Sequence, residues 1–154
     1  MKVSICDSRS ASIPGVRFGY IADCDVHRES YFTITPLGLH STFQSADNVV
    51  CGMLEGWHHV PEFHVLETHK DVETFVYTDG VALMPFCDIV DGKPDLSTAQ
   101  IVRIEAGTQV EVAAGKGHFV AVAEGDHFRT LVYCPDQAAE RIALTEAIEG
   151  VKEI

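Results

Sequence analysis

The chain has 154 residues, 46% of them hydrophobic with eight Phe, enough for one globular domain with its own core across residues 1–154. A formal charge of −12 with only eleven Lys and Arg argues against nucleic acid and anionic membrane surfaces, since both need clustered positive charge. Five scattered cysteines without a CxxC fit reduced thiols, and no signal-peptide or membrane-spanning run is present, so the expectation is a cytoplasmic protein.

In chain order, short runs rich in branched and aromatic residues predict strands at 16–21, 31–35, 49–57, 62–69, 73–78, 81–89, 100–105, 108–113, 118–123 and 128–133. Turn residues punctuate them at Pro14-Gly15, Pro36, Gly38, Asp79-Gly80, Asp91-Gly92, Gly107, Gly115 and Gly125. Asp79-Gly80 suits a tight hairpin, and the polar stretch from Val90 to Ser97 reads as a surface loop. Many short strands at regular spacing indicate an all-β sandwich or barrel. The one predicted helix covers 136–149, after Pro135, with Asp136 as N-cap and Leu144, Ile148 and Val151 at helical spacing. Cys51 and Cys87 lie in apolar surroundings and are expected in the core. His58 and His59, adjacent and therefore on opposite strand faces, are expected at a rim or surface.

Chemistry concentrates in Glu67-Thr-His69-Lys-Asp-Val-Glu73 and in Gly115-Lys-Gly117-His118. Residues two apart on a strand face the same side, so Glu67 and His69 project together, and a short turn can return Glu73 to the same point. His118 opens a further apolar run, His118-Phe-Val-Ala-Val. Two carboxylates and two imidazoles form a plausible set for a divalent ion, with Zn, Mn, Fe and Ni all open. Without an ion, Glu67 and Glu73 are expected to raise each other's pKa.

These spacings resemble the two motifs of the cupin barrels. Glu67, His69, Glu73 and Gly80 follow HxHxxxExxxxxxG with Glu at its first position. Gly107, Ala113, Gly115, His118 and Val122 follow G(x5)PxG(x2)H(x3)N with Ala113 for Pro and Val122 for Asn. The resemblance implies a cupin-type β-barrel, or jelly roll, to which the short C-terminal helix is added, with Glu67, His69, Glu73 and His118 as metal ligands.

Residues 61–136, about half of the chain, are also similar to the ureidoglycolate lyase family of cupins. Its run H-x-L-E-x-H-P-x-x-x-Q-x-F is followed by His64, Leu66, Glu67 and His69, with Lys70 for Pro and, one residue short of that spacing, Glu73 for Gln and Phe75 for Phe, and Pro94-Asp-Leu-Ser-Thr98 gives a second match. That resemblance implies a homodimer splitting ureidoglycolate into glyoxylate and urea, a step of purine catabolism. Glu67 and Glu73 are then the candidate catalytic carboxylates, with Glu67 the preferred base. A carboxylate substrate needs a cation, for which Lys70, Arg103, Lys116 and Arg129 lie near the motif segments, while Tyr77 shares the strand parity of Glu73 and is expected to line the pocket. The same scaffold also accommodates a non-catalytic small-ligand binder, a sugar isomerase, or an iron oxygenase using His69, His118 and either Glu67 or Glu73.

Overall fold

Alternation of branched and aromatic residues with polar ones produces strands over most of the chain, 64% of it. The computed structural model describes residues 1–45 and 48–152. Its strands are β1 (Lys2–Asp7), β2 (Val16–Tyr20), β3 (His27–Arg28), β4 (Thr33–Ile34), β5 (Val49–Trp57), β6 (Glu62–Thr68), β7 (Glu73–Val90), β8 (Lys93–Glu105), β9 (Thr108–Val112), β10 (Gly117–His118), β11 (Val122–Pro135) and β12 (Glu140–Val151). A single 3-10 turn, Ile21–Asp23, follows β2. No described helix is long and apolar enough to cross a membrane.

The pairing order β10-β6-β12-β1-β8-β7 closes on itself because β10 also pairs with β7, which makes a mixed barrel. β1 runs parallel to both β8 and β12 and the other pairs are antiparallel. β7 is long enough to leave the ring. Its first residues pair with β9 and β11, adding a layer β2-β9-β7-β11-β5.

This arrangement buries both faces of β7 and β8, which explains the nearly unbroken apolar run from Val81 to Cys87. Ala82, Met84 and Phe86 join Phe75, Tyr77, Val102, Ile104, Val110 and Phe128 in one core. Leu83 and Cys87 face the other way, into a second core with Phe63, Leu66, Ile101 and Ile148. Pro85, which has no N–H to donate, sits on β7 between its pairing with β11 at Leu83 and with β10 at Phe86.

Several expectations are corrected. Asp79-Gly80 makes no hairpin; β7 continues through it, and a register shift against β11 falls at Phe128, which pairs with Gly80. Gly80 has φ +70°, and a Cβ there would lie 2.1 Å from the His127 carbonyl oxygen, so glycine allows the strand to bend while β11 stays close. The hairpin turn lies instead at Asp91-Gly92, both at positive φ, between Val90 and Lys93, and the expected loop at 90–97 belongs mostly to β8. The run from His118 is not one strand, because β10 ends at His118 and pairing resumes at Val122.

The predicted helix at 136–149 is absent, and β12 occupies Glu140–Val151. Leu144, Ile148 and Val151 sit at helical spacing only because β12 shifts register against β6 between Ala143 and Ile148, which interrupts its two-residue period. β1 was not among the predicted strands, although Val3 and Ile5 alternate with Lys2, Ser4 and Cys6 and pack on the second core. Cys87 is buried as expected, whereas Cys51 is exposed on β5, which among the described residues pairs only with β11.

Candidate metal centre

Local structure brings the four motif side chains together. Glu67 lies near the end of β6, His69 just beyond it, Glu73 opens β7 and His118 ends β10. The turn between β6 and β7 is held by the buried Asp71 carboxylate, which accepts from the backbone amides of Gln44, Ser45 and Val72 at 2.7–2.9 Å. The Gly115 amide donates to the His69 carbonyl at 2.9 Å, which ties the two motifs directly. At Gly117 a Cβ would lie 2.8 Å from the Cys87 carbonyl oxygen, so this glycine lets β10 close against β7 and deliver His118.

One donor atom from each of Glu67, His69, Glu73 and His118 lies within 4.8 Å of the others. Their side chains are only 13%, 10%, 9% and 2% exposed, in that order, so water reaches the group chiefly past Glu67. His118 Nδ1 sits 2.9 Å from the Lys116 carbonyl oxygen, which can only accept, so Nδ1 carries a proton. His118 Nε2 then faces Glu73 Oε2 at 2.7 Å. His69 Nε2 is 3.1 Å from the same oxygen but is not aligned for a hydrogen bond. Among the described residues, neither buried ring nitrogen of His69 has a hydrogen-bond partner.

Unpartnered buried imidazole nitrogen beside a buried carboxylate is costly, and a cation between these lone pairs removes the cost. The backbone-bound Nδ1–H of His118 is also what fixes a ligating imidazole with Nε2 outward. The donor set therefore fits a divalent ion.

Electrostatics of the ion-free cluster correct one expectation. Burial pushes the Glu73 carboxyl up, but the contacts with His118 and His69, and their charge, overcome it and hold the pKa at about 2. The contact with Glu73 raises His69, burial opposes this, and the charges of Glu73 and Glu67 add to the rise. The two imidazoles, rather than the neighbouring carboxylate, set the state of Glu73.

The depressed Glu73 stabilises the fold above its unfolded pKa of about 4.5 and loses this as pH falls toward 2. The raised His69 stabilises below its unfolded pKa of about 6.5 and loses this as pH rises through its folded value. In chelator, the stability difference between wild type and Glu73→Gln should accordingly be largest near pH 5.5 and shrink on both sides. Urea unfolding at pH 3, 5.5 and 8.5 measures it, and a pH-independent difference contradicts this electrostatic account.

The expected substrate-binding residues lie elsewhere. Tyr77 is 1% exposed in the core, stacked against Phe75 with centroids 6.2 Å apart, and its hydroxyl donates to Met84 Sδ at 3.4 Å. Burial, with the charge of Glu73, pushes that phenol well above its ordinary range. Parity with Glu73 predicted the inward direction correctly, but the space is filled with protein. Arg103 is taken up by Glu105, Glu124 and Asp7. Lys70 is exposed and lines a surface cavity of about 400 Å³ with Arg17, His40 and Glu111, none of the four cluster residues contributing to it. Lys116 is buried against Asp88, and Arg129 pairs with Glu55.

Sequence reasoning missed Arg141, which the helix reading placed outside the barrel. It stands opposite Glu67 across β6 and β12, with Nε 3.8 Å from Glu67 Oε2. Alternation within Arg141-Ile-Ala-Leu was the available signal. His58 and His59 are both exposed, as expected.

No protein-family model matches the sequence, and neither does any curated protein. Solved structures do match. A variant of ChmJ, a 3'-monoepimerase from Streptomyces bikiniensis, bound to dTDP, aligns with TM-score 0.58 and 17% identity over 87% of this chain and 71% of that one. RmlC from Streptococcus suis, in complex with dTDP-D-xylose, aligns with TM-score 0.55 and 17% identity over 82% and 66%. The fold is that of the cupins. The dTDP-6-deoxy-D-glucose-3,5-epimerase RmlC from Legionella pneumophila shares this cupin fold, with TM-score 0.56 and 11% identity over 92% and 77%. Likeness at these identities carries the architecture and leaves the reaction to the chemistry of this chain's own site.

Proposed function

We propose that this cupin holds a divalent ion, Zn, Mn, Fe or Ni, on Glu67, His69, Glu73 and His118, and acts on a small hydroxy acid as a ureidoglycolate lyase does. The observation that carries the reading is the convergence of His118 Nε2 and the unpartnered His69 ring on Glu73 Oε2. When bound, the ion supplies Lewis acidity to a substrate hydroxyl.

The chain's own groups supply the proton handling. Splitting ureidoglycolate removes the proton from its carbinol hydroxyl, forms the aldehyde C=O of glyoxylate and breaks the C–N bond, whose electron pair takes a proton to give urea. Glu67 would give one carboxylate oxygen to the ion and is suited to accept and return that proton through the other, because it is the most exposed cluster carboxylate and its Arg141 contact is too long for a hydrogen bond. His118 is locked by the Lys116 carbonyl, which suits holding rather than shuttling. The expected result is urea release from ureidoglycolate that stops in chelator and returns with one of the four metals. No urea under any of them rejects the lyase reading and leaves the metal centre to be judged separately.

A second reading, sugar epimerisation, takes its support from the epimerase architecture of the similar structures. It requires a sugar-sized cavity beside the cluster, whereas Tyr77, Met84, Phe86 and Phe128 fill the adjoining core. The hydroxy-acid reading needs far less room.

A further inference from the structure

We propose that Arg141 is a binding residue for the carboxylate of a small hydroxy acid at the entrance to the metal centre. This rests on the proposed metal-centre reading for the other end of the ligand.

The argument begins with register. His118 pairs with Glu67 across β10 and β6, and Arg141 pairs with the same Glu67 across β12 and β6. Directly opposed residues in antiparallel strands put their side chains on one face, so His118, Glu67 and Arg141 form a row over two strand spacings, roughly 9–10 Å. Exposure rises along it from 2% at His118 through 13% at Glu67 to 70% at Arg141. That gradient marks the direction from which a ligand arrives, and Arg141 is the first charge it meets.

Arg141 is also uncommitted in a way that Arg103, Lys116 and Arg129 are not, and Lys70, the other cation near the motifs, lines a separate cavity. Arg103, Lys116 and Arg129 each hold a carboxylate at 2.5–2.8 Å. Among the described residues Arg141 comes only within 3.8 Å of Glu67, beyond hydrogen-bond range, so its donors remain for a ligand. The Phe119 ring lies 5.8 Å from its guanidinium and steadies it as a cation–π support.

A guanidinium fork matches a planar carboxylate through two parallel hydrogen bonds. Charge selects the ligand class further. With Glu67 and Glu73 nearby and a net charge of −12, a doubly charged phosphate meets more repulsion than a monoanionic carboxylate. The assignment is therefore a short α-hydroxy monocarboxylate, its carboxylate on Arg141 and its hydroxyl toward Glu67.

The test is calorimetric titration of glycolate, glycolamide and inorganic phosphate into metal-loaded wild type, Arg141→Ala and Arg141→Lys, with metal stoichiometry measured on each. Glycolate should bind wild type at least tenfold more tightly than Arg141→Ala, with Arg141→Lys between them because charge survives without the fork. Metal content should be unchanged, and glycolamide should show no dependence on residue 141. Equal glycolate affinity in wild type and Arg141→Ala, no glycolate binding to wild type, or tighter Arg141-dependent binding of phosphate would each overturn the assignment. If wild type takes up no metal, the metal-centre reading fails by itself. The same titration on metal-free protein then decides Arg141, since an Arg141-dependent affinity upholds the binding role and equal affinities reject it.

Discussion

His118→Ala is expected to strip the protein of its divalent ion, lowering affinity by more than about 100-fold, while the barrel stays folded. Losing even an outer hydrogen-bond partner of a ligand costs about 10- to 100-fold in metal affinity, and His118 contributes the donor atom itself together with its anchored orientation. The cost to the fold is real. His118 is among the largest fully buried side chains, and its removal takes from Glu73 its 2.7 Å partner. Breaking a buried ion pair costs about 3–5 kcal/mol, and His69 remains beside Glu73 to keep the loss at the lower end. Against a stability of about 5–15 kcal/mol, the variant should still unfold cooperatively, at a lower urea midpoint. Stoichiometric metal in the His69→Ala, His118→Ala double variant would show that other residues hold the ion.

Glu73→Gln should have the largest effect on activity. Glu73 contacts both imidazoles, and its low pKa keeps it charged throughout the physiological range. Glutamine preserves its volume and one carbonyl acceptor but removes the charge that offsets a cation and lies beside both rings. If the reaction depends on metal, ureidoglycolate cleavage should fall by about 100-fold or more, in line with removal of an electrostatic group at the reacting centre, and added metal should restore it only in part. Near-normal urea release by Glu73→Gln would point to a metal-free lyase following the glutamine of that family's run.

How far the sequence disclosed the molecule depended on whether local pattern and tertiary demand agreed. They agreed for β2, β5, β6 and β9, for residues 100–105 of β8 and for residues 128–133 of β11, where alternation or branched runs were plain. They disagreed at Gly80, where Asp-Gly chemistry suggested a hairpin but the crowding of His127 and Phe128 made it a bend within β7. They disagreed again in β12, whose register shift disguised a two-residue period as a helical one. β1 pairs parallel with strands far along the chain, and no local signal announces such a partner.

The candidate site was legible for a different reason. Its four residues are tied to motif spacing, and spacing survives when neighbouring positions change, so the sequence alone groups Glu67, His69, Glu73 and His118, whose donor atoms lie within 4.8 Å of one another. The cations around the site follow no such spacing. Lys70 and Arg103 were chosen by proximity in sequence, yet one faces a separate cavity and the other is enclosed by three carboxylates. Arg141 reaches Glu67 only because β12 lies beside β6, a fact of topology.

Metal stoichiometry of the purified protein, with the ion's position fixed by its anomalous X-ray scattering, tests the central claim most directly. Protein supplied in turn with Zn, Mn, Fe and Ni should retain one of them at about one ion per chain, with anomalous density among Glu67, His69, Glu73 and His118 and donor distances of about 2.0–2.2 Å if the ion is zinc. A chain that holds none of the four, or one that holds an ion away from these side chains, would contradict it.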